Sequence, residues 1–164
     1  MRSAVVITAY NRPEALSRPL RPISSGVYPD NVTLIISIDF GGTRRPEVLE
    51  IADAFEWKYG DKQIIRHKTH LGLQKQVFFA GSLASEYGSI IRLEDEYWIS
   101  LMLYEYASNA LEFYRDDPRI AAIALYNVWF NGIAREIFNP YLDAGDIYFM
   151  RSPWPHRQAF LSSQ

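Results

Sequence analysis

The strongest constraint on the fold is an alternation of short apolar runs with stretches of helical spacing, each run ending abruptly in polar residues. The sharpest example is 89–100, Ser-Ile-Ile-Arg-Leu-Glu-Asp-Glu-Tyr-Trp-Ile-Ser. A run of this length after a glycine reads as a buried strand, and it closes in three consecutive carboxylates. Strand residues alternate faces, so Glu94 and Glu96 are expected to lean one way and Asp95 the other. Three adjacent anions are unfavourable without positive charge among them. A hard divalent cation, which prefers oxygen ligands, is one solution; solvation at a strand end is the plainer one.

The other runs follow the same rule. Residues 4–9, Ala-Val-Val-Ile-Thr-Ala, predict a first strand that stops at Tyr10-Asn11-Arg12-Pro13. A short helix is expected at 14–20, cut by Pro19 and Pro22. Residues 32–39 predict a second strand ending in Asp39, before Phe40-Gly41-Gly42, where glycine lets backbone approach a ligand. A helix from Pro46 to about residue 59 would bury Val48, Ile51, Ala52 and Phe55. A third strand at 63–66 leads to His67, Lys68 and His70. A helix at 74–87 precedes the acidic strand. A long helix at 99–114, with Leu103, Tyr106, Ala107, Ala110 and Leu111 as its stripe, follows it. Further strands are expected at 120–125, ending at Asn127, and at 147–150, separated by a loop at 130–146. This order implies an α/β domain with a mainly parallel sheet covered on both faces. Ligands of such sheets bind outside the carboxyl ends of the strands. Asn11, Arg12, Asp39, His67, His70, the triplet 94–96 and Asn127 all follow strand ends, so they are expected to share one edge.

Composition narrows the class. The 164 residues suffice for a single domain over 1–164, and the absence of cysteine excludes thiolate metal sites and a cysteine nucleophile. A net charge of −2 argues against a nucleic-acid partner. No leader or membrane-spanning run stands out, and the expected compartment is cytoplasmic.

Together these stretches resemble nucleotide-sugar glycosyltransferases of the GT-A fold, a Rossmann-like three-layer α/β/α architecture. Val6-Ile7-Thr8-Ala9-Tyr10-Asn11-Arg12, Ser37-Ile38-Asp39 and Leu93-Glu94-Asp95-Glu96-Tyr97 look like the V-x-I-x-A-C-D-R, S-x-D and V-E-D-D-L segments of eukaryotic N-acetylglucosaminyltransferases. Bacterial family-2 transferases with A-Y-N-R-P openings are similar as well. The resemblance covers about residues 4–128. It implies that Ala9, Tyr10, Asn11 and Arg12 cradle base and ribose, and that Asp39 accepts a hydrogen bond from a uracil imide. His67 or His70, with Gly72, would line the nucleotide. Glu94 and Asp95 would face ribose and donor sugar, and Glu96 would ligate Mn²⁺ or Mg²⁺. The implied activity is transfer from a UDP-sugar to a glycan, protein or lipid acceptor.

Two departures qualify the likeness. The third acidic position is usually Asp in the family and is Glu96 here. The catalytic base of relatives lies beyond the equivalent of Trp154, whereas Glu136, Asp143 and Asp146 stand in no recognisable context and 152–160 looks like the start of an acceptor region. The expectation is therefore a truncated or minimal transferase, with a non-catalytic nucleotide-sugar binding module as the alternative. A nucleotidyltransferase would need a glycine-rich basic first loop, which Tyr10-Asn11-Arg12-Pro13 is not. A glycoside hydrolase needs opposed carboxylates, which a run on one strand does not supply.

Overall fold

A computed structural model describes residues 3–117, 120, 122, 123 and 125, together with the backbone of 149–151. Four strands run parallel: β1 (Ala4–Ala9), β2 (Leu34–Ile38), β3 (Lys62–Arg66) and β4 (Ser89–Glu94). A short β5 (Phe149–Arg151) pairs antiparallel with β4, and the order across the sheet is β3-β2-β1-β4-β5. Parallel neighbours require crossovers. These are supplied by α1 (Pro13–Ile23), α2 (Arg45–Ala54), and α3 (Gly72–Ser82) with α4 (Ala84–Tyr87); α5 (Leu103–Phe113) follows β4.

The strands are apolar on both faces because both faces are covered. Val5, Ile7, Leu34, Ile36, Ile38, Ile91 and Leu93 form one buried cluster with residues of α1, α2 and α5. Ala4, Val6, Ile35 and Ile90 form a second with Ala80 of α3 and Ala84 of α4. The result is the expected three-layer α/β/α arrangement. Its central strand β1 has β2 on one side and β4 on the other, so the crevice between the ends of β1 and β4 is where the connections switch direction.

Several boundaries differ from expectation, each for a local reason. α1 runs through Pro19 and Pro22, since burial of Ala15, Leu16, Pro19, Leu20 and Ile23 offsets the backbone bonds lost at proline. α2 stops at Ala54, because Phe55 turns extended and the Lys62 ammonium donates to the carbonyls of Ala52, Asp53 and Phe55, at 3.0, 2.9 and 2.5 Å. The helix expected at 74–87 is divided at Leu83 into α3 and α4. On α5 the buried residues are Tyr104, Ala107 and Leu111, while Tyr106 is exposed. The stripe is turned by Tyr104, whose hydroxyl donates to the Ser3 carbonyl and accepts from its N–H, both at 3.1 Å. The strand expected at 120–125 is absent from Ile120, Ala122, Ile123 and Leu125, the residues of it that are described. The place beside β4 is taken by β5, and Ile123 and Leu125 pack against the core instead. Asn127, Trp129, the loop at 130–146, Trp154, His156 and the stretch 152–160 lie outside the described residues. Among the described residues no helix is long and apolar enough to cross a membrane.

Candidate functional site at the carboxyl edge of the sheet

The site is built across the β1/β4 crevice. β4 ends at Glu94, and the chain turns immediately, so the strict alternation expected for the triplet breaks down after its first member. Glu94 stays on the strand and receives a hydrogen bond from Arg92, two residues earlier on the same face, at 2.9 Å. Arg92 is 1% exposed. Asp95 and Glu96, already in the turn, meet on one guanidinium: Arg12 Nη2 donates to Asp95 Oδ1 and Nη1 to Glu96 Oε2, each at 2.6 Å. Positive charge does sit among the three anions, as electrostatics requires, and two arginines supply it.

The carboxylates differ in environment. The Asp95 side chain is 4% exposed and that of Glu96 46%. Burial pushes the Asp95 carboxyl above its ordinary value, although Arg12 and the Tyr10 backbone N–H pull it down. For Arg12, burial lowers the pKa, but Asp95 and Glu96 outweigh it and hold the guanidinium more firmly charged.

Asp39 organises the neighbouring half of the edge. It is 1% exposed. Its Oδ1 accepts from the backbone N–H of Phe40 and Leu71, at 2.7 and 2.8 Å. Oδ2 accepts from Gly72 N–H at 2.9 Å and lies 3.0 Å from His70 Nδ1. The start of α3 has no capping side chain of its own, so Asp39 satisfies its first N–H groups from another element. Gly72 has φ +73°, which only glycine adopts readily. Burial alone would raise the Asp39 pKa; the N–H groups of Leu71, Gly72 and Phe40, with His70, reverse this and hold it below its ordinary value.

Of the two histidines left open by the sequence, His70 belongs to this edge. It is exposed, and its ring lies 5.1 Å from that of Tyr10. His67 turns back to the sheet: its Nε2 is 2.9 Å from Ser37 Oγ and its ring meets Phe79 edge-on. Burial lowers its pKa. Asn11 is a brace, accepting the Arg44 N–H at 2.6 Å. A Cβ on Gly42 would come 2.4 Å from Asn11 Cγ, so the space glycine leaves there is filled by Asn11. Ala9 is buried, and its carbonyl accepts from Asp39 N–H at 2.9 Å and from Gln76 Nε2 at 3.0 Å.

Two contributors escape sequence reasoning. Gln76 is buried and also donates to the Ser37 carbonyl at 2.9 Å, tying α3 to the ends of β1 and β2. Arg45 donates to the carbonyls of Asp39 and His67, at 2.8 and 3.1 Å, and so holds the ends of β2 and β3 together. A glutamine on an otherwise apolar helix face was the only available signal for the first. The second donates its hydrogen bonds, among the described residues, to main-chain oxygens, which leave no trace in side-chain patterns.

Arg12, Asp39 and Glu96 therefore occupy one edge, joined through Tyr10 and His70. The fit to a divalent cation rests on Glu96. Among the described residues no three His, Asp or Glu side chains converge on a point. Glu96 is half-exposed and offers a hard oxygen donor, so a divalent cation here would take a single protein carboxylate and would draw its remaining ligands from substrate or solvent. One of its oxygens is engaged by Arg12. Two residues further on, a cavity of about 320 Å³ opens, lined by Trp98, Ile99, Ser100, Met102, Leu103, Tyr106 and Leu125.

By sequence the chain matches no family model and no curated protein. By fold it is similar to S. aureus TarS, at 13% identity and a TM-score of 0.67, over 92% of this chain and 28% of that one. Structures of S. aureus TarS 1–349 in complex with UDP and with UDP-GlcNAc align over 92% of this chain at 10% identity, with TM-scores of 0.62 and 0.64. The chain spans 47% and 45% of those two. At such identities the likeness is one of fold: the domain is of the GT-A, glycosyltransferase-like α/β type.

Proposed function

We propose that this chain binds a UDP-sugar at the carboxyl edge of its sheet and transfers the sugar to a glycan, protein or lipid acceptor. The observation that carries the reading is the meeting of Arg12 with Asp95 and Glu96 across the β1/β4 crevice. It brings a cation and two carboxylates to the place where open α/β sheets bind ligands. The complexes of the similar fold with UDP and UDP-GlcNAc support the choice of nucleotide.

In this reading Tyr10 and His70 flank the base, with Ala9, Asn11 and Gly72 shaping the backbone around it. Asp39 receives the uracil imide when His70 swings aside, since Phe40, Leu71, Gly72 and His70 otherwise take all its acceptor positions. Glu94 and Asp95 face the ribose and the sugar. Arg12 is available to the diphosphate, and Glu96 to Mn²⁺ or Mg²⁺. When bound, such a cation neutralises the departing diphosphate as a Lewis acid.

Calorimetric titration with UDP, with and without Mn²⁺, tests the reading. Saturable one-to-one heat is expected, larger with metal. The absence of binding under both conditions would sink it. Binding and transfer separate in a second assay: a chain that binds UDP yet never consumes a UDP-sugar is a binding module.

A further inference from the structure

We infer that Arg12 is a tethered counter-ion that holds the cation seat on Glu96 and yields it only when a diphosphate arrives. The inference rests on the nucleotide reading above and adds a coupling to it. The Arg12 guanidinium spans Asp95 and Glu96 at 2.6 Å each, and no other hydrogen bond of it is found among the described residues. A planar fork with two donors suits this two-carboxylate bridge as an ammonium would not. Its partners restrict when it can leave. Asp95 is 4% exposed, and a buried carboxylate left without a positive neighbour is strongly destabilising. Departure of Arg12 is therefore costly unless another cation replaces it. It has room to do so, because its side chain is 57% exposed and stands at the open edge.

A guanidinium and a divalent cation cannot share Glu96 comfortably, since like charges at contact distance repel. A diphosphate removes the conflict. Its negative charges receive Arg12 on one side and the cation on the other, so all three fit where two did not. Metal and diphosphate must then bind with positive coupling, and Arg12 is the residue that transmits it.

Mn²⁺ binding followed by its free-ion paramagnetic resonance signal reads this without any turnover. In the unsubstituted protein, saturating UDP is expected to tighten Mn²⁺ by about tenfold or more. Arg12→Gln is expected to bind Mn²⁺ about tenfold more tightly than the parent without UDP, and to gain little when UDP is added. Equal Mn²⁺ affinity of the two proteins without UDP would overturn the inference. A second variant guards against misfolding of the first. Glu96→Gln frees one arm of Arg12, so metal-free UDP binding is expected to tighten while Mn²⁺ binding is lost. Unchanged or weaker UDP binding in Glu96→Gln would also overturn it. Failure of the unsubstituted protein to bind UDP at all strikes the nucleotide reading instead and leaves the metal-only comparison readable.

Discussion

At the scale of single residues, Asp39 illustrates how one side chain serves both fold and site. Its carboxylate closes the start of α3 and fixes His70 beside Tyr10. Its pKa in the folded chain lies below the ordinary 3.8. A depressed carboxylate contributes stability that is complete above the unfolded value and is lost as pH falls through the folded one. Asp39→Asn keeps one acceptor oxygen and presents an NH₂ group to N–H donors. It is expected to lose about 1–3 kcal/mol at neutral pH. The deficit relative to the parent should shrink below about pH 4, where Asp39 itself becomes protonated. Urea unfolding at neutral and acid pH measures this, and a deficit constant across that range would refute the role given to the carboxylate.

At the scale of elements, helix ends are completed by side chains from elsewhere in the chain. Asp39 after β2 caps α3, and Lys62 at the start of β3 caps the far end of α2. The ammonium lies where the helix dipole is negative and orphan carbonyls gather. Lys62→Met keeps the apolar stem and removes the donor. It is expected to cost about 1–2 kcal/mol in denaturant unfolding and to accelerate hydrogen exchange near the end of α2. Unchanged stability and exchange would mean that water replaces the ammonium without loss. Neither long-range cap was legible beforehand, because capping signals are read within a few residues of the helix they serve. The expected end of α2 near residue 59 was wrong for that reason.

At the scale of the whole molecule, the sheet is a rigid platform that carries polar loops at one edge. Ile36 lies on β2 beside the central strand, fully buried and paired in register with Ile7 of β1 and Ile64 of β3. Ile36→Ala is expected to cost about 2–5 kcal/mol, as deletions in close-packed cores do. The thermal midpoint should fall on the order of 10 °C. A much smaller fall would mean that the layers collapse onto the cavity. UDP binding by the variant that remains folded should be little changed, since Ile36 lies away from the edge loops.

The alternation of β-branched runs with helix-spaced stretches determined the fold class, because burial on both faces and the right spacing admit few other arrangements. It also determined that Arg12, Asp39, His70 and the acidic triplet share an edge, since every parallel strand delivers its end to the same side. Tertiary structure alone decided which charges meet. Asp95 and Glu96 converge on Arg12 because β4 gives way to a turn after Glu94, and Arg12 reaches them only because β4 lies beside β1 in the sheet. Strand adjacency is a property of the folded sheet, and no local pattern of residues encodes it.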